Sequence, residues 1–179
     1  MKRTLLSVSI AVIVAAVIVA GFTSMATAAP AGSGASATLA PTAGNQASGT
    51  VTFERSGDKV RVVANLSGLS PGAHGFHIHE KGDCSAPDAT SAGGHFNPTS
   101  KAHGDPGTGE HHGGDMPALM ADAAGNAKLD ATLDSVMIGS GAGDIVGRAV
   151  IVHKDPDDFK TQPTGNSGAR VACGVIMGA

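Results

Sequence analysis

GFHIHEKGDCSAPDATSAGGHFNPTSKAHGDPGTGEHHGGD, residues Gly75–Asp115, holds six of the chain's eight histidines and one of its two cysteines. Its first residues continue an alternating strand, His74–Glu80. Residues 81–116 are rich in Gly, Pro and Asp and show no strand pattern. Histidines interleaved in this way with turn-forming residues, and with almost no large apolar side chains, do not read as core. A loop this long inside a compact domain is either disordered or functional. The histidines favour a metal-binding segment, for which the rest of the chain is the frame.

The frame is legible on both sides. N-terminal to the stretch, Ala35–Pro41 is a weak strand and Thr50–Glu54 alternates polar and apolar, as a half-buried strand does. Ser56-Gly57-Asp58 is a hairpin turn, and Val60, Val62, Ala64 and Leu66 share one face of the next strand. C-terminal to it, Leu119–Ala121 and Ala127–Leu133 resume the alternation around the turn Ala124-Gly125-Asn126. Gly147–His153 reads as a buried strand, Lys154–Ala169 as a second patternless loop and Arg170–Met177 as the closing strand. These eight short strands predict an all-β fold, an eight-stranded antiparallel Greek-key sandwich or flattened barrel with two long functional loops. With aromatics at 3% of the chain, the expected core is Val, Leu, Ile and Ala.

The first 28 residues stand apart. Met1-Lys2-Arg3 is basic, Leu5–Phe22 is an almost unbroken apolar run, and Ala26-Thr27-Ala28 has the small-x-small form of a cleavage site. The expectation is a signal peptide (1–28) cleaved after Ala28, a flexible tether (29–34) and one domain (35–179). An uncleaved signal would instead anchor the protein in a membrane. Either way the protein is exported, to a periplasmic, cell-envelope or extracellular location. Losing Lys2 and Arg3 takes the formal charge from −3 to −5. An acidic exported domain with no basic run, no Trp and no Tyr argues against nucleic acid as a partner. Two cysteines in an oxidising compartment predict one disulfide, Cys84–Cys173.

The chemistry lies in the spacing of the histidines. His77 and His79, at i and i+2 of a strand, project from one face. His95, in GGHFNP, is flanked by glycines that allow a tight backbone. His103, His112 and Asp115 follow, and with His95 they make a closed three-nitrogen, one-oxygen set suited to zinc. His77, His79 and His153 make an all-nitrogen set of the kind copper(II) favours, and His95 can offer one ring nitrogen to each ion. His111 lacks the H-x-x-D spacing that ties His112 to Asp115, so it is expected to face solvent. His74 is expected to be a structural, hydrogen-bonding histidine.

GFHIHE, GDC, SAGGHFNP, KAHGDP, the H-x-x-D at His112–Asp115, GRAVIVH and GNSGARVACGV, in this order, resemble the motifs of the copper,zinc superoxide dismutase family over about Ala35–Met177. The early first cysteine, the Met-Pro after Asp115 and the short loop between His153 and Arg170 resemble its bacterial exported members. The resemblance implies copper ligands His77, His79, His95 and His153 and zinc ligands His95, His103, His112 and Asp115. It implies that Asp157 is the carboxylate linking a copper-side and a zinc-side histidine, that Cys84–Cys173 is the family disulfide, and that Arg170 guides the anion. It assigns catalytic parts to Arg170 and to His95, which takes up a proton and then gives it to the peroxide product.

The implied activity is the disproportionation of superoxide to dioxygen and hydrogen peroxide, protecting against extracytoplasmic superoxide, with one copper and one zinc per subunit and zinc structural. The shortened loop leaves Lys154 and Lys160 as candidates for further guiding charges. The rival reading is a non-catalytic copper/zinc-binding or copper-delivery module on the same fold. The sequence leaves monomer and homodimer both open. A hydrolytic zinc enzyme does not fit, because a closed four-ligand site keeps no position for water.

Overall fold

The computed structural model of the chain describes residues 34–179. The expected signal peptide and its cleavage site lie outside the described residues, and so does the expected tether apart from its last residue. Gly34 instead opens the first strand, paired with Glu54.

The strands are β1 (Gly34–Pro41), β2 (Ser48–Ser56), β3 (Lys59–Ser67), β4 (Gly72–His74), β5 (Phe76–His79), β6 (Leu119–Ala121), β7 (Ala127–Leu133), β8 (Ala149–His153), β9 (Arg170–Val175) and β10 (Met177–Gly178). Every pairing between them is antiparallel. The eight expected strands become ten because two of them break. His74–Glu80 divides at Gly75 into β4 and β5, and the closing strand divides at Ile176 into β9 and β10. The one helical element among the described residues is a 3-10 turn, Thr90–Ala92.

Hydrogen bonding orders the strands β4-β6-β7-β3-β2-β1-β9-β8-β5, with β10 on β1. The two ends of that path, β4 and β5, are joined in the chain by Gly75 alone. The sheet must therefore curl until its edges nearly meet, giving a flattened, almost closed barrel. At the junction the Gly75 N–H donates to Asp155 O at 2.9 Å, and Gly75 O accepts from His153 N at 2.8 Å. A Cβ on Gly75 would strike the Ser167 side chain, so glycine is required there.

The period-two pattern sets the core. Val60, Val62, Ala64 and Leu66 of β3 are all buried, and Val51 and Phe53 of β2 face them. The core is less purely aliphatic than composition suggested. Phe53 and Phe76 are among its largest fully buried side chains, and Phe96 joins the same cluster.

Strands β5, β8 and β9 position everything that follows. Phe76 and Ile78 of β5 point into the barrel, and so do Val150 and Val152 of β8. The opposite face of these strands carries His77, His79, Ala149, Ile151 and His153, in the register His77↔Ile151 and His79↔Ala149. All five residues of β8 are nevertheless buried, because the loop after β5 covers this outer face. There Ala149, Ile151 and Cys173 pack with Ala89, Ala92 and Cys84 in a second small cluster.

Between β8 and β9 the register shifts. Val152 pairs with Ala172 but His153 pairs with Arg170, leaving Val171 as an extra residue. Val171 and Ala172 both reach the main core, so alternation fails at this bulge. In strict alternation Arg170 would share the inward face of Ala172. The bulge turns it outward, onto the histidine side.

Candidate metal centre

One edge of β5 pairs with β8, and the other is closed by the long loop. Phe96 N donates to Ile78 O (2.8 Å), Gly114 N to Phe96 O (2.7 Å), Ile78 N to Gly114 O (2.8 Å) and Glu80 N to Gly94 O (2.9 Å). These bonds set His95 beside His79 and Asp115 beside His77. The approach is close enough that a Cβ on Gly114 would collide with the Ile78 carbonyl. The glycines around His95 and before Asp115 thus let a loop act as an edge strand.

Two sets of ligand atoms result, each gathered within 4.8 Å: His77, His79, His95 and His153, and His95, His103, His112 and Asp115. All seven residues are buried. In the second set Asp115 Oδ1 lies 2.9 Å from His95 Nδ1, 3.0 Å from His103 Nδ1 and 3.5 Å from His112 Nδ1. His112 Nδ1 and His95 Nδ1 are 3.4 Å apart. A tetrahedral ion with bonds of about 2.0–2.1 Å needs ligand edges of about 3.3 Å, so these spacings fit zinc. In the first set His79 Nε2 and His153 Nε2 are 3.4 Å apart, and the His77 ring stacks on His95 at 3.9 Å.

The strongest test of fit is the set of buried atoms left without partners. His77 Nδ1, His95 Nε2 and His103 Nδ1 have no hydrogen-bond partner among the described residues. A buried imidazole nitrogen left so is costly unless something else satisfies it. Each belongs to a ring whose other nitrogen is engaged. His77 Nε2 donates to Asp157 Oδ2 at 2.7 Å and His103 Nε2 to Asp157 Oδ1 at 3.0 Å. His79 Nδ1 donates to Gly93 O at 2.9 Å, and His153 Nδ1 to Gly168 O at 3.2 Å. These bonds fix the tautomers and leave the opposite nitrogen's lone pair facing the cluster. Asp115 behaves alike: Oδ2 accepts from Gly104 N (3.1 Å) and His112 N (2.8 Å), leaving Oδ1 toward the histidines.

Electrostatics agree with this arrangement. Burial lowers His77, holds His79 well below the ordinary imidazole value, and brings His95 to about 4 and His153 to about 3. These rings are neutral at pH 7, the form in which an imidazole binds a metal. Burial pulls His103 the same way, but Asp115 and Asp157 outweigh it and lift this ring to about 9. Burial would raise the carboxyls of Asp115 and Asp157, yet the surrounding imidazoles hold both far below their ordinary value.

Arg170 is half-buried and fixed by two carbonyls, donating from Nη1 to Ala89 O and from Nη2 to Gly93 O, each at 2.6 Å. Gly93 O therefore joins the guanidinium to His79. The charge of Arg170 also adds to the lowering of His79 and His153. Cys84 and Cys173 are bonded, with Cα atoms 5.9 Å apart. The disulfide ties the loop bearing both carbonyls to the strand bearing Arg170. Pro87, Asp88 and Thr90 of this loop meet Arg170 in an open cavity of about 360 Å³.

Other expectations divide. His74 is buried and structural and belongs to neither ligand set: Nδ1 lies 2.8 Å from His153 O and Nε2 2.8 Å from Ser70 O. His111, expected in solvent, is buried at 8% exposure because its Nδ1 donates to the His112 carbonyl at 2.7 Å and the ring tucks toward Asp134. Lys154 and Lys160 are exposed on the second loop. Arg148 went unnoticed in the sequence. It stacks on the Phe96 ring at 3.7 Å and donates to Glu80 O at 2.7 Å, gripping the residues that follow His95 and His79. Its only sequence signal was a cation opening a buried strand.

Residues 47–176 match the family described as copper/zinc superoxide dismutase (SODC). The chain is 40% identical over 134 residues to a Caenorhabditis elegans protein named extracellular superoxide dismutase [Cu-Zn]. That alignment covers 72% of this chain, which spans 60% of the nematode protein's length. Among solved structures, the crystal structure of the clock protein EA4 is similar with a TM-score of 0.74 and 39% identity, over 86% of this chain and 99% of the other.

Proposed function

The chain belongs to the copper/zinc superoxide dismutase family, and from that premise we propose that it converts two superoxide ions and two protons to dioxygen and hydrogen peroxide. The observation that carries the reading is the pair of buried ligand sets sharing His95, with a fixed guanidinium beside the first of them. Copper among His77, His79, His95 and His153 would supply the one-electron redox change, and zinc among His95, His103, His112 and Asp115 would be structural.

The chain's own residues supply the rest. Arg170 holds a positive charge near the first set in a protein of net negative charge, so attraction of the anion is local. Focusing of this kind raises association rates by ~10–10³ and weakens with salt. His95 offers one nitrogen to each set, and its otherwise unpartnered Nε2 is the atom that can hold a proton and deliver it to the reduced product. Asp157 keeps His77 and His103 in the ligating tautomer. The disulfide-fixed loop, pinned by buried Ala89 and Ala92, holds the Arg170 guanidinium through its carbonyls.

Export to the periplasm, cell envelope or extracellular space completes the proposal. The disulfide, the apolar N-terminal run with its Ala26-Thr27-Ala28 site and the likeness to an extracellular relative support it. A mature N-terminus at Ala29 is expected by sequencing of the exported protein. The activity is tested by a dismutation assay with metal analysis on wild type and His153→Ala. Loaded wild type should be active with both metals present. Activity no higher than that of His153→Ala would end the enzyme reading and leave a metal-binding module.

A further inference from the structure

We infer that Gln162 is a positioning residue for His103, the second arm of a clamp whose first arm is Asp157; the inference rests on the metal-centre reading above. The Gln162 amide lies along the His103 backbone and closes two hydrogen bonds with it. Oε1 accepts from His103 N at 2.9 Å, and Nε2 donates to His103 O at 2.8 Å. The ring of the same histidine donates to Asp157 Oδ1. His103 is thus held at its backbone and at its ring by one segment of the second long loop.

The chemistry requires such a partner. His103 is buried in a loop without strand pairing, and a buried N–H and C=O must find partners. A side-chain amide carries an acceptor and a donor in one plane, so a single glutamine satisfies both. The segment bearing the two arms shapes itself. Asp158 accepts from Lys160 N (2.9 Å), Thr161 N (2.8 Å) and Thr161 Oγ1 (2.6 Å). Asp158 N donates to Gly165 O and Gly165 N to Thr161 O, closing the turn. Gly165 has φ +67°, and a Cβ there would run into Asp157 and the His103 ring.

The clamp is asymmetric between the two ligand sets. His77, on the copper side, receives only the Asp157 arm, whereas His103, on the zinc side, receives both. Gln162 itself is exposed on its outer side, so replacing it leaves the core intact. Losing it should loosen zinc and spare copper.

The test compares wild type, Gln162→Ala and Gln162→Glu, which keeps the acceptor but loses the donor. In protein loaded with both metals, zinc transfer to a chromogenic chelator should speed up by ~10-fold in Gln162→Ala, the lower end of what losing such a partner costs. Gln162→Glu should fall between, with copper transfer unchanged. Cobalt(II) in place of zinc should show an altered visible spectrum in Gln162→Ala, a signature that a merely space-filling loop residue would not move. Unchanged zinc transfer, or equal acceleration for both metals, would overturn the inference.

A separate measurement needs no metal. In the metal-free protein the His103 amide should lose hydrogen-exchange protection in Gln162→Ala, and retained protection would also overturn the clamp. Wild-type protein that took up no zinc would instead refute the metal-centre reading, a result distinct from the amide exchange.

Discussion

Replacing Asp157 by Asn should cost metal affinity by a route the structure makes explicit. The carboxylate accepts from two imidazoles, His77 Nε2 at 2.7 Å and His103 Nε2 at 3.0 Å. An amide of the same shape has one acceptor oxygen and one donor NH₂. Whichever way it turns, one of the two histidines meets a donor with its own N–H. That histidine can move its proton to Nδ1, but His77 Nδ1 and His103 Nδ1 are the unpartnered atoms that face the ligand sets. A metal must then displace the proton or leave two buried donors opposed. An unsatisfied buried polar group costs ~1–3 kcal/mol, or roughly 5- to 150-fold in affinity, the range generally found when a ligand's outer partner is removed. The assay is chelator competition for zinc and for copper on purified Asp157→Asn, with disulfide content and far-UV circular dichroism as folding controls. At least one metal should bind ~10–100-fold more weakly. If both affinities stayed within about threefold of wild type in a folded variant, the tautomer-locking role of Asp157 would be refuted.

Three further outcomes follow from the geometry. Reducing the disulfide, or Cys84→Ser, should destabilise the protein by ~2–5 kcal/mol, because the bond spans 89 residues, and should lower activity further by freeing the loop that holds Arg170; thermal melts and assays with and without reductant check both. Arg170→Gln should reduce kcat/KM by ~10-fold or more and flatten its dependence on ionic strength, read from assays across a salt series. In the metal-free protein, His95 and His153 are depressed to about 4 and about 3, so the unfolded chain binds protons that the folded chain refuses. Their stability is present above about pH 6.5 and is lost as pH falls toward those values; His95 alone accounts for ~3 kcal/mol. His103, raised to about 9, has the opposite sign and gives up its contribution as pH rises through 9. Urea midpoints of the metal-free protein should therefore fall on both sides of neutrality.

The barrel was legible because its strands alternate. Val60, Val62, Ala64 and Leu66 announced their face, and the structure buries all four. The candidate ligands His95, His103, His112 and Asp115 were legible because chemistry-bearing side chains stood in a glycine-rich loop where no core role competed. The break at Gly75 was hidden, since His74 and His79 continue one alternating pattern although their strands sit at opposite ends of the hydrogen-bonded path. Arg148 and Gln162 were hidden for another reason. Each acts on backbone carbonyls or on a ring face, and such partners leave no trace in residue spacing. His111 was misjudged because its anchor is the carbonyl of its own neighbour.

The extra residue at Val171 makes the side on which Arg170 stands a matter of parity. Cys173 must face the loop to meet Cys84, and Ala172 must face the core. With Val171 in a regular ladder, Arg170 would share the inward face of Ala172 and carry its guanidinium into the barrel, where a charge has no partner; the bulge prevents this while seating Val171 in the core. Deleting Val171 would restore plain alternation with Arg170 still on the histidine side, so the loss would fall on the core that this valine fills. The bulge thus lets one strand give two successive residues to the core without drawing the preceding arginine in after them.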